Sequence, residues 1–315
     1  MAFLKFPGSK KEVEDLLLIE IGLEVVNMAK LTLFPEPRVA EVARKGFSSL
    51  DEMFEASLQA VDELAGHTQD IPKNAILGVS GGPIKTETTV AQYTRPDPKE
   101  PIGDDEVEKV LGEVSAKAQV TDYKLFFSTI ASATIDGTKV SNPIGLKGEK
   151  VALSCFIAYK RAEELAVFDK LIDEIDMKLE KIIPTSFAVA KTMLGKGDEN
   201  TLLVRVGKER SEAALLTKGH IAEIIQFDLG VANPSHIDLG FEIALEKLLK
   251  EHPPELIELY PDSREVDLAE LEEKISKLSW KELGVERAPH IKMVKEEDYE
   301  AEDTGLQALV SEATT

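Results

Sequence analysis

Residues 16–33 read LLLIEIGLEVVNMAKLTL, and residues 201–219 read TLLVRVGKERSEAALLTKG. Each is an apolar run, a turn at a glycine (Gly22, Gly207) and a second largely apolar run. A third run follows both, RVAEVARKGF at 38–47 and IAEIIQFDLG at 221–230. β-Branched and apolar runs broken by glycine, or by Pro35 and Pro37, read as strand, turn, strand. Each trio therefore predicts a three-stranded meander. A helical spacing follows the first at Leu50, Met53, Phe54, Leu58, Val61 and Leu64, behind Ser48 and Ser49 as N-cap candidates. A second helix is expected from about Ile237 to Leu249. A strand trio and helix that recur in one chain imply two similar lobes.

The segment between the meanders reads differently. From about Asn74 it gives a strand, a bend at Gly81-Gly82, a β-branched strand (Thr86, Thr88, Thr89, Val90) and a helix near Asp104 with Val107, Val110, Leu111 and Val114 on one face. Two strands, YKLFFSTIASATI and EKVALSCFIAY, then join through Asp136-Gly137. This is a small α+β unit. Gly78-Val79-Ser80-Gly81-Gly82 also spells G-x-S-x-G, the turn that presents a hydrolase nucleophile. That turn needs a helix after the serine. Pro83 and a β-branched run follow instead, so a tight glycine bend is the better reading. Leu165, Phe168, Leu171, Ile172, Ile175 and Leu179 predict one helix across 161–181, and another is expected after Pro184. Leu268, Leu271, Ile275 and Leu278 predict an amphipathic helix, whereas EEDYEAED (296–303) is expected to be solvated or disordered.

Composition bounds the function. The chain has 315 residues, 43% of them apolar, enough for two domains or one two-lobed body. A formal net charge of −21 argues against nucleic acid and against electrostatic attraction to an anionic bilayer. Cys155 is the single cysteine, which excludes an intramolecular disulfide, and its apolar setting predicts a buried structural thiol. No apolar run reaches the ~18 residues of a membrane span. MAFLKFPGSKKEVEDLL lacks a signal-peptide core, so a cytoplasmic protein is expected. The histidines are isolated, and no metal site is expected.

Three segments carry a family resemblance: YTRPDPKEPIGDDEVEKVL (93–111), NPIGLKGEKVALSCFIA (142–158) and VFDKLIDEIDMKLEKIIPTSFAVAKTML (167–194). They resemble the bacterial cell-division actin homologue FtsA family and, more distantly, its pilus-assembly relative PilM. The resemblance covers roughly residues 12 to 250. It implies an α/β, two-lobed actin-like (ribonuclease H-like) fold with an inserted SHS2-type α+β domain, and leaves open whether the second lobe is complete. The expected layout is a first lobe over 1–74 and 158–195, an SHS2-like insertion over 75–157, a second lobe over 196–260, and a helical segment with an acidic tail over 261–315.

The same resemblance singles out a cleft. Actin-like ATPases hold phosphate and magnesium between two hairpin turns, the first D-x-G-T/S and the second D-x-G-G-G-T-T. Here the first turn is Glu20-Ile21-Gly22-Leu23-Glu24, with Leu23 in place of the hydroxyl and Glu24 adding negative charge. The second is Arg205-Val206-Gly207-Lys208-Glu209-Arg210-Ser211, with an arginine at the metal-facing aspartate. Lys208 and Arg210 could act as a substitute phosphate grip; the rivals are a salt bridge from Glu24 to Lys208 or Arg210, or plain solvated turns. Phosphoryl transfer depends on magnesium neutralising the phosphate oxygens. The resemblance therefore implies a degenerate, non-catalytic scaffold with no cofactor, its ATP and magnesium binding weak or lost. The partners it implies are an FtsZ-like filament or a cytosolic peptide of a membrane complex, with self-association and recruitment to the inner face of the membrane by partners. A PilM-like pilus adaptor and an active actin-like ATPase stand as alternatives. DTGLQALVSEATT has no Lys or Arg, so no basic membrane-binding helix is expected there.

Overall fold

The computed structural model describes residues 15–68, 70–117, 121–140, 142–193, 199–217, 220–228, 230–232, 252–263, 266–293 and 304–314. The first meander is β1 (Leu16–Ile21), β2 (Val25–Thr32) and β3 (Arg38–Gly46), followed by helix α1 (Leu50–His67) and β4 (Asn74–Val79). Ser49 caps α1, accepting the Glu52 N–H at 3.2 Å. β4 joins β1 in parallel and belongs to this sheet, although the sequence suggested that it opens the inserted unit.

The inserted sheet comprises β5 (Ile84–Thr94), β6 (Tyr123–Ile135), β7 (Thr138–Val140) and β8 (Lys150–Arg161), in the order β5-β8-β6-β7, with α2 (Asp104–Lys117) packed on it. Arg95 ties this unit together. It bonds Glu106 in the first turn of α2 at 2.9 Å and the carbonyls of Glu100, Pro101 and Gly148. Cys155 is fully buried, and burial pushes its thiol up to about 11.

The chain returns through α3 (Ala162–Glu174), β9 (Lys178–Pro184) and α4 (Thr185–Met193). The single helix expected across 161–181 is instead a helix followed by a strand. α3 stops at Glu174, Asp176 turns the chain with φ 53°, and Leu179 lies in a strand parallel to β4. Aspartate tolerates this left-handed conformation, and pairing with β4 overrides the continuing helical spacing. The first sheet thus runs β3-β2-β1-β4-β9.

The second meander is β10 (Thr201–Val206), β11 (Ser211–Thr217) and β12 (His220–Phe227). β13 (Leu256–Pro261), helix α5 (Ala269–Ser276) and β14 (His290–Met293) follow, giving a sheet β12-β11-β10-β13-β14 that extends past the expected 196–260 span. The helix expected at 237–249 and the acidic run 296–303 lie outside the described residues. The last described element is α6 (Thr304–Thr314).

Both sheets are covered on both faces, which explains why β1 and β10 read as near-continuous apolar runs. Residues alternate between faces. Leu17, Ile19 and Ile21 pack with α1 and α3, and Leu202, Val204 and Val206 pack with α5. Leu18 and Leu203 face the opposite way, into a central core shared with α4 and α6. Phe187 of α4 anchors it, with ring centroids 4.6 Å from Phe156 and 5.0 Å from Phe127. α6 is therefore core, not tail: Leu306, Ala308 and Leu309 are buried there, and Glu312 pairs with Lys181 at 3.0 Å and Lys191 at 2.6 Å. No helix among the described residues is long and apolar enough to cross a membrane.

Candidate functional site

Strand parity aims Glu20 and Arg205 at each other. Glu20 lies two residues beyond Leu18 and Arg205 two beyond Leu203, so both face the centre. The Arg205 Nη2 sits 2.7 Å from Glu20 Oε1, and its Nε 2.7 Å from Asp262 Oδ1. These are close ion-pair contacts without hydrogen-bond directionality. Arg205 Nη1 does donate a directed bond to Ser80 Oγ at 2.9 Å. Arg205, Glu20 and Asp262 are respectively 1%, 0% and 5% exposed. Asn27, opposite Glu20 on β2, donates to its Oε2 at 2.9 Å.

The turns above this cluster are built alike. The Gly22 N–H donates to Val25 O and the Gly207 N–H to Arg210 O, each at 2.8 Å. A side chain fits neither position: a Cβ on Gly22 would lie 2.9 Å from Val25 O, and one on Gly207 2.9 Å from Arg210 O. Glu24 crosses to the second turn, as one sequence reading proposed, but it meets backbone. It accepts the N–H groups of Lys208 at 2.7 Å and Glu209 at 2.6 Å. The Leu23 and Glu24 N–H groups in turn donate to Asp262, both at 3.2 Å. Arg210 Nε lies 4.0 Å from Asp228.

A second polar group flanks the first. Glu212, opposite Arg205 on β11, accepts the Gly81 N–H at 3.1 Å and bonds the Ser186 hydroxyl. Lys160 bonds Glu164 and the Gly81 carbonyl, each at 2.7 Å. Burial pushes the Glu212 and Asp262 carboxyls above the ordinary range, against Ser186 and Gly81 at the first and Arg205 at the second. Burial likewise lowers the Lys160 ammonium, against the pull of Glu164.

Both turns are legible in the sequence, whereas Asp262 and Ser80, which fill the space between them, are not. Asp262 stands one residue past β13, as Ser80 stands one past β4, and each closes the same backbone bond: Ser80 N–H to Ile21 O and Asp262 N–H to Val206 O, both 2.7 Å. Extending the repeat to these strands would have exposed the match. Ser80 is no nucleophile: it is buried, it accepts from Arg205, and Gly81 (φ 72°) and Gly82 (φ 67°) lead to β5 instead of a helix. Among the described residues, no three or more His, Cys, Asp or Glu are grouped to hold a metal ion. A cavity of about 500 Å³ lies elsewhere, between β5 and β12, lined by Lys85, Tyr123, Tyr159 and Glu223.

Two sheeted lobes whose first hairpins face and bond each other have an actin-like fold. Comparison with solved structures agrees. The chain is similar to a PilM–PilN type IV pilus biogenesis complex at 14% identity, covering 97% of this chain and 100% of that one, with a TM-score of 0.60. It is also similar to a Bacteroides thetaiotaomicron protein with an actin-like ATPase fold and unknown function, at 10% identity, 95% and 96% coverage and a TM-score of 0.51. No family model and no curated protein matches the sequence.

Proposed function

We propose that the chain is an actin-like adaptor whose nucleotide cleft is degenerate, and that it works by binding other proteins. One observation carries this: Arg205 lies buried below the two turns with its guanidinium on Glu20, Asp262 and Ser80. An actin-like ATPase needs acidic groups there to anchor magnesium against phosphate. Here the cation is a side chain of the protein, and the carboxylates around it are engaged. Calorimetry with Mg-ATP should show no binding tighter than about millimolar, a scale of ~4 kcal/mol. Magnesium-dependent micromolar binding would refute the reading.

The partner is proposed to be a short cytosolic segment of a membrane-complex protein, as in a PilM-like adaptor. Near-complete mutual coverage with a chain of the PilM–PilN complex supports this. Fluorescence anisotropy with labelled peptides from cytosolic ends of membrane proteins encoded nearby tests it. An FtsA-like role at a filament is the second reading. It is favoured by the inserted unit, where Arg95 fastens the start of α2 in the segment that resembles that family. Co-sedimentation with FtsZ-like filaments, without peptide binding, would select it.

A further inference from the structure

The two turns exchange carboxylates. On the second, the successive N–H groups of Lys208 and Glu209 grip the two oxygens of Glu24 from the first lobe, at 2.7 and 2.6 Å. On the first, the successive N–H groups of Leu23 and Glu24 grip the two oxygens of Asp262 from the second lobe, both at 3.2 Å. Successive backbone N–H groups converging on one anion form a nest, a ready-made anion site. The arrangement is reciprocal: each lobe supplies one nest and the carboxylate that fills the other.

We propose that both turns are carboxylate-binding sites occupied by the protein's own side chains, and that this mutual ligation holds the lobes closed with no added ligand. The inference deepens the adaptor reading and rests on it for the absence of a competing nucleotide. The two seats differ. Asp262 is buried against Arg205, whereas Glu24 is half-buried at the rim. Glu24 is therefore the exchangeable ligand, and a small carboxylate from solvent fits its nest once the side chain is removed.

Amide hydrogen exchange on the full chain tests this. In the unmodified protein the Lys208 and Glu209 amides should be protected. Glu24→Ala should speed their exchange about tenfold or more, the scale of losing a bond to a charged acceptor. Sodium formate should restore protection in Glu24→Ala and leave the unmodified protein unchanged. Glu24→Gln nearly preserves shape but keeps one acceptor oxygen, so it should expose one of the two amides and spare the other. Equal exchange in all three proteins would overturn the proposal, and so would a formate response shared by the unmodified protein. The two readings fail separately. Unprotected amides without nucleotide binding sink the self-ligation alone, while micromolar Mg-ATP binding sinks the adaptor reading.

Discussion

The ends of β1 and β10 have the same backbone and opposite charge. Each strand places one buried charged residue two positions before a turn glycine, Glu20 before Gly22 and Arg205 before Gly207. Each is flanked by an antiparallel neighbour that carries a polar partner, Asn27 for the first and Glu212 for the second. The parallel neighbours differ more. Opposite Glu20 stands Gly78, and opposite Arg205 stands Tyr260. The glycine leaves room that α6 takes, since a Cβ on Gly78 would lie 2.6 Å from Leu309. In the second lobe the tyrosine fills its own space. A duplicated backbone thus carries two different fillings, and charge divergence turns a facing pair into a cross-lobe ion pair.

The strongest way to break that comparison is to remove the odd charge. Arg205→Met leaves Glu20 and Asp262 buried without their cation, and should cost about 3–5 kcal/mol in urea unfolding. A loss below about 1 kcal/mol would show that the cluster is hydrated, as exposed pairs are, or that its carboxylates are protonated. Next is the side-specific filling. Leu309→Ala opens a cavity where α6 meets β4 and should cost about 2–5 kcal/mol, measured in the same way. An unchanged midpoint would mean that α6 does not dock on the first lobe. Ser49→Ala, remote from both turns, removes only the α1 cap and should cost about 1 kcal/mol. If it destabilises as much as Arg205→Met, the cleft holds no special share of the stability.

The smallest effect concerns pH, where two buried glutamates have opposite signs. Burial raises the Glu212 carboxyl, so the fold keeps that proton longer than the unfolded chain does. Its contribution is present below the ordinary carboxyl range and is lost as pH rises through the raised folded value. For Glu312, burial is outweighed by Lys181 and Lys191, and its carboxyl is lowered. That contribution is present above the ordinary range and is lost as pH falls through the depressed folded value. Melting temperature against pH should therefore flatten on the rising-pH side in Glu212→Gln and on the acid side in Glu312→Gln. Identical profiles for both variants would contradict these assignments.

The sequence by itself determined what depends on neighbours in the chain. Apolar runs broken by glycine and proline gave both meanders, Pro83 and the β-branched run after it argued against a nucleophile turn, and Glu20, Gly22, Glu24, Arg205 and Gly207 marked the turns. Local periodicity also misled, carrying the helix of α3 through Leu179, because pairing with β4 is worth more than a continued helical spacing. The tertiary structure alone decided what Arg205 touches, since Ser80 lies 125 residues away. It decided that Asp262 serves a turn 239 residues distant. It also decided that residues 304–314 are core, because the notch that receives them is made by Gly78 in another strand. Turn chemistry and strand period act over a few residues, whereas ion pairs and packing act between segments that only the finished fold brings together.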